Sequence, residues 1–69
     1  MANQEVKYEP MLKLKAMRAL KGFTLQELAN KSKISYSTIC RYEKGYATPK
    51  LENLKILAEV LGCATTDIS

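Results

Sequence analysis

Three glycines, Gly22, Gly45 and Gly62, each stand just past a run of residues with helical spacing, and the chain contains no other glycine. Glycine commonly ends a helix in the left-handed region, because it has no β-carbon to clash there. The starts are equally marked. Thr24 followed by Glu27 is a Thr-x-x-Glu capping box, in which each side chain satisfies an orphan backbone N–H. Ser35 opens an unbroken run to Lys44, and Thr48 with Pro49 offers a cap followed by a proline at the first helical position. This punctuation predicts helix one between Pro10 and Gly22, with helices two, three and four capped by Thr24, Ser35 and Thr48. Thr65 or Thr66 can cap a fifth helix. Only a few polar residues separate Lys31 from Ser35, the length of a turn joining two steeply crossed helices.

Hydrophobic spacing fills these boundaries. Leu14 and Met17, then Leu25, Leu28 and Ala29, then Ile39 and Tyr42, then Leu54, Leu57, Ala58 and Leu61 recur at three or four, and they form the predicted core. No repeat, low-complexity tract or strand-like alternation interrupts them. Residues 1–10 have no helical period and end at Pro10, so they read as a flexible amino-terminal arm or a cap on the domain, leaving residues 11–69 as the domain.

A chain of 69 residues supports one small core, which usually supplies only about 3–5 kcal/mol unless staples reinforce it. Staples are scarce. With no histidine and only Cys40 and Cys63, a four-ligand metal site is excluded. A disulfide between the two is disfavoured, since nothing resembles a secretory signal and the chain reads as cytoplasmic. No apolar run approaches the roughly 20 residues that cross a bilayer. Eleven Lys and Arg against seven Asp and Glu give a net charge of +4, which favours a polyanionic partner without naming one. The chain offers no paired carboxylates in a plausible pocket, no glycine-rich phosphate loop and no base beside a serine or cysteine, so an enzyme is not expected. No cofactor or small-molecule ligand is indicated.

A short helix packed across a second one leaves the first turn of the second projecting, and such a helix fits a major groove about 12 Å wide. With Ile39 and Tyr42 turned inward, the outer face of helix three presents Tyr36, Ser37, Cys40, Arg41 and Lys44.

The stretch from Phe23 to Gly62 resembles the phage repressor and Cro, or Xre-like, helix-turn-helix domains. The resemblance extends over roughly Leu14 to Ile68. It is carried by Thr24, Glu27 to Ala29, the Ile-Ser-x-Ser-Thr-Ile of Ile34 to Ile39, the Arg-Tyr-Glu-x-Gly of Arg41 to Gly45, Pro49, and Leu61 with Gly62. It implies an all-α, lambda-repressor-like domain of four to five helices, in which helices two and three form the helix-turn-helix. It also implies a transcriptional regulator that binds double-stranded DNA, with an antitoxin or coactivator of the same fold as the alternative.

By the same resemblance, Tyr36, Ser37 and Arg41 read bases, with Thr38 and Cys40 beside them. A guanidinium can bond both O6 and N7 of guanine, although Arg41 also suits a phosphate. Tyr36 can stack on a sugar, touch a thymine methyl, donate to phosphate or simply pack. Phosphate contacts are expected where helix ends expose N–H groups and lysines gather, at Thr24, Leu25, Ser35, Lys44, Tyr46, Thr48 and Lys50.

The chain departs from the family twice. Leu25 stands where glutamine is common, and Lys33 occupies a turn position often held by glycine at positive φ. The family also implies an ion pair between Arg18 and Glu43, the alternative being two unrelated surface charges. Ile56 and Val60, four apart on a separate face of helix four, with Cys63 just beyond, suggest a homodimer interface. The competing explanation has Val6 and Tyr8 of the arm covering them.

Overall fold

The computed structural model describes residues 6–69. Four α-helices, α1 (Leu12–Leu20), α2 (Leu25–Ser32), α3 (Tyr36–Lys44) and α4 (Leu51–Leu61), are followed by one 3-10 turn, Thr65–Asp67. No strand occurs among the described residues, and the all-α expectation holds.

The local chemistry that sets the helix ends is visible at each junction. Thr24 Oγ1 accepts from the Glu27 N–H at 3.1 Å while Glu27 Oε1 accepts from the Thr24 N–H at 2.8 Å, which completes the capping box. Ser35 Oγ accepts from the Thr38 N–H at 3.2 Å and caps α3. Lys33, in the turn between α2 and α3, takes φ 64, the left-handed conformation expected of that position. Such backbone costs an L-residue about 1–2 kcal/mol.

The start of α4 differs from expectation. Its N-cap is Lys50 rather than Thr48, and Lys50 makes no side-chain cap. Pro49 therefore precedes the helix instead of opening it. The first helical bond runs from the Leu54 N–H to the Lys50 carbonyl at 3.0 Å. The fifth helix shrinks to a single turn capped by Ala64, whose N–H donates to Asp67 Oδ2 at 3.0 Å, and neither Thr65 nor Thr66 acts as its cap.

Both α3 and α4 pack on α2, while α1 closes against α3 and the terminal turn. Leu14, Leu28, Ile39, Leu57, Leu61 and Ile68 are fully buried at the centre. Met17, Leu25 and Leu54, expected in the core, lie at its partly buried edge. Ile34 and Ile68 join the core from positions that no helical period marks. Lys13 Nζ donates to the Thr66 carbonyl at 2.7 Å and holds the terminal turn against α1.

The segment 6–10 runs across the end of α3. The N–H groups of Lys7 and Tyr8 both donate to the Gly45 carbonyl, at 3.1 and 3.0 Å, and the Met11 N–H donates to the Tyr42 carbonyl at 3.2 Å. Gly45 has φ +86, and a β-carbon there would stand 2.5 Å from the Tyr8 carbonyl oxygen. Backbone conformation and the crossing segment thus both require glycine at this position.

Candidate nucleic-acid interface

The α2–turn–α3 unit presents the outer face of α3 to solvent. Tyr36, Ser37, Arg41 and Lys44 are exposed and Cys40 is half-buried. These five residues, with Tyr46, line one shallow hollow of about 220 Å³. Thr38 stands apart from them. Its hydroxyl accepts from Ser35 Oγ at 2.7 Å, and it lines a neighbouring hollow with Thr48, Lys50 and Asn53. The sequence-expected base readers therefore divide between two surfaces.

The phosphate candidates fall into two groups. At the start of α2, the Thr24 N–H is consumed by the capping box, in which the hydroxyl oxygen accepts from the Glu27 N–H. The N–H groups of Leu25 and Gln26 carry no partner among the described residues, which leaves them open to an anion at the positive end of the helix. The Leu25 side chain turns inward and packs on the core edge. The second group runs from the last residue of α3 into the connection to α4. Lys44, Thr48 and Lys50 are exposed, Tyr46 is half-buried, and the Tyr46 N–H donates to the Arg41 carbonyl at 2.9 Å. The hydroxyl of Ser35 serves its own helix as the cap.

Arg18 and Glu43 meet beneath this surface. Arg18 Nε donates to Glu43 Oε2 at 2.7 Å and Nη2 donates to Oε1 at 3.2 Å, a bidentate arrangement. The remaining amine, Nη1, donates to the Phe23 carbonyl at 2.9 Å. The two side chains are only 13% and 6% exposed. The hydrogen bond to Glu43 holds the Arg18 pKa above its ordinary value against the opposing effect of burial. One guanidinium thereby fastens α3 to α1 and to the entry of α2.

Three polar residues at this surface escaped the sequence reading. Gln26 and Asn30, joined by a side-chain hydrogen bond of 3.0 Å, line a hollow of about 460 Å³ with Lys33, Ser35 and Tyr36. Their spacing of four on the outward side of α2 is the signal that could have found them. Asn53 donates to the Tyr42 hydroxyl at 3.1 Å, and nothing local in the sequence marks that partnership.

The supposed dimer residues are less bare than their spacing suggested. Ile56, Val60 and Cys63 are half-buried and pack against the core. Burial, reinforced by nearby Asp67, raises the Cys63 thiol pKa, and neither cysteine is in a disulfide. The arm does not explain their cover, since Lys7 and Tyr8 bond to Gly45 and the Val6 side chain lies beside that glycine. The most exposed large apolar side chains are elsewhere, among them Leu12, Leu20 and Leu51. No helix among the described residues is long and apolar enough to cross a membrane, and no cluster of potential metal ligands occurs among them.

A family model described as helix-turn-helix matches residues 14–68. No curated protein matches the chain. Among solved structures, the crystal structure of the clp gene regulator ClgR from C. glutamicum is similar, with 34% sequence identity and a TM-score of 0.75. That similarity covers 81% of this chain and 73% of the other.

Proposed function

The chain belongs to the helix-turn-helix family of the Xre and lambda-repressor type, and from that premise we propose that it is a sequence-specific DNA-binding transcriptional regulator acting as a repressor. The observation that carries this reading is the outer face of α3, where Tyr36, Ser37, Cys40, Arg41 and Lys44 share one solvent-facing hollow. No acidic side chain lines that hollow. The similarity to a gene regulator supports the same assignment.

In this reading α3 enters the major groove, with Arg41 reading a guanine and Tyr36 and Ser37 touching the adjoining base edges. The free N–H groups at the start of α2, with Lys44 at the end of α3 and Thr48 and Lys50 beyond it, hold phosphates on either side. Of the amino-terminal arm expected over residues 1–10, residues 1–5 lie outside the described residues and residues 6–10 lie against Gly45, so they act as a cap on the 11–69 domain. One recognition helix with two or three base contacts falls short of the roughly 10⁻⁸ M typical of specific regulators, and two-fold pairing doubles them. We therefore infer a cytoplasmic homodimer joined near Ile56, Val60 and Cys63, a region that lines none of the hollows around α3.

Selection of bound duplexes from a random pool, followed by sequencing, tests the assignment directly. An enriched, roughly palindromic site is the expected result. On that site Arg41→Ala should blur one base position, whereas Lys44→Ala should weaken all sequences about equally and reduce the magnitude of the salt slope by about one. No enrichment, together with salt-insensitive binding, would transfer the assignment to a protein-interaction module.

A further inference from the structure

Tyr42 and Glu43 are sequence neighbours on the inner side of α3, and they face different partners. Glu43 reaches α1 through Arg18. Tyr42, 5% exposed, offers its hydroxyl to α4, where Nδ2 of Asn53 donates to it at 3.1 Å. This bond ties α3 to the first turn of α4, two helices that otherwise share α2 as their common support. The connection between them carries Tyr46, Thr48 and Lys50, and its leading residue is already fastened to α3 by the bond from the Tyr46 N–H to the Arg41 carbonyl. At its far end Lys50 caps α4 without a side-chain bond. Asn53 therefore secures the end that the connection itself leaves loose. Thr48, Lys50, Tyr42 and Asn53 all line one hollow of about 320 Å³ beside Thr38 of α3.

We propose that Asn53 is a positioning residue for DNA binding, which through Tyr42 holds the phosphate-contacting start of α4 in register with the base-reading face of α3. The proposal rests on the DNA-binding reading above. Phosphates and base edges of a duplex stand at fixed separations, so a shift of α4 relative to α3 loses backbone contacts while the base contacts survive. Such a loss has a signature of its own. Each phosphate contact released removes about one unit from the slope of log affinity against log salt.

The test uses the full chain and a mixed-sequence duplex of about two helical turns, titrated between about 50 and 200 mM salt. Tyr42→Phe keeps the ring and removes the acceptor, whereas Asn53→Ala removes the donor. Each variant is expected to bind about five- to tenfold more weakly at the lower salt and to lose about one unit of slope, with helix content unchanged by circular dichroism. The double variant should bind no more weakly than the weaker single one, because both changes delete the same bond. Unchanged affinity and slope in both variants overturns the proposal. So does weaker binding at an unchanged slope with loss of helix content, the mark of a merely structural role. A wild-type chain that fails to bind the duplex overturns the DNA-binding reading itself, and this outcome is recognisable before any variant is made.

Discussion

Arg18 contributes three donors to two partners, and little water reaches the pair it forms with Glu43. Removing one member of such a pair strands the other charge, which costs about 3–5 kcal/mol. Arg18→Ala and Glu43→Ala should each destabilise by that order, while the joint change Arg18→Met with Glu43→Leu should cost less than either. Urea denaturation of the three variants checks this, and a joint cost equal to the sum of the single costs would show that the two charges do not interact. The glycines permit a sharper comparison. Gly62 has φ +69 with open space around it, whereas Gly45 has φ +86 and the Tyr8 carbonyl in the way. Gly62→Ala should therefore cost about 1 kcal/mol and Gly45→Ala distinctly more. In a chain lacking residues 1–10 the two costs should converge. The need for glycine at both positions was legible in the sequence. That the residues before Pro10 cap the domain was one of the two readings the sequence left open, but their crossing at Gly45 was not legible, because its donors are backbone N–H groups that any residue supplies.

The helices follow closely from their caps. Thr24 with Glu27, and Ser35, mark true starts because a side-chain oxygen three residues from an orphan N–H is a local matter settled by sequence alone. Thr48 and Pro49 misled for the same reason. Their pattern suits a helix start, but the chain uses them to approach α4, which begins at Leu51. The turn between α2 and α3 offers an element-scale test. Lys33 holds the left-handed conformation, and Lys33→Gly should relieve about 1 kcal/mol. For a domain of this size that raises the melting temperature by about 4–8 °C. Since Lys33 also lines the hollow beside Tyr36, the same change should weaken duplex binding while the fold gains stability. A thermal melt and a DNA titration on one preparation would reveal this opposition, and a variant improved in both would remove Lys33 from the interface.

For the molecule as a whole, the exposed face proposed for recognition was more legible than the packing that supports it. Tyr36, Ser37, Arg41 and Lys44 stand exposed on one face because a helical period of 3.6 turns them away from Ile39 and Tyr42. Asn53 and Ile68 could not be found in this way, since their roles come from elements meeting in space. Ile68 is completely buried although it lies beyond the last α-helix. Ile68→Ala should cost about 2–5 kcal/mol, a large share of the roughly 3–5 kcal/mol a single small core supplies. The terminal turn that seats Ile68 also governs time. That turn packs on α1, which lies near the other end of the sequence, and closing so long a loop is the step chain entropy opposes most. On that ground the helices should assemble first and Ile68 dock late, and its loss should leave refolding nearly as fast and hasten unfolding. Stopped-flow chevrons would separate the two, and a slowed folding limb would instead place Ile68 in the nucleus. On that outcome, how long each molecule stays folded, and with it the interval in which a protease finds an open chain, depends in part on the grip of one isoleucine.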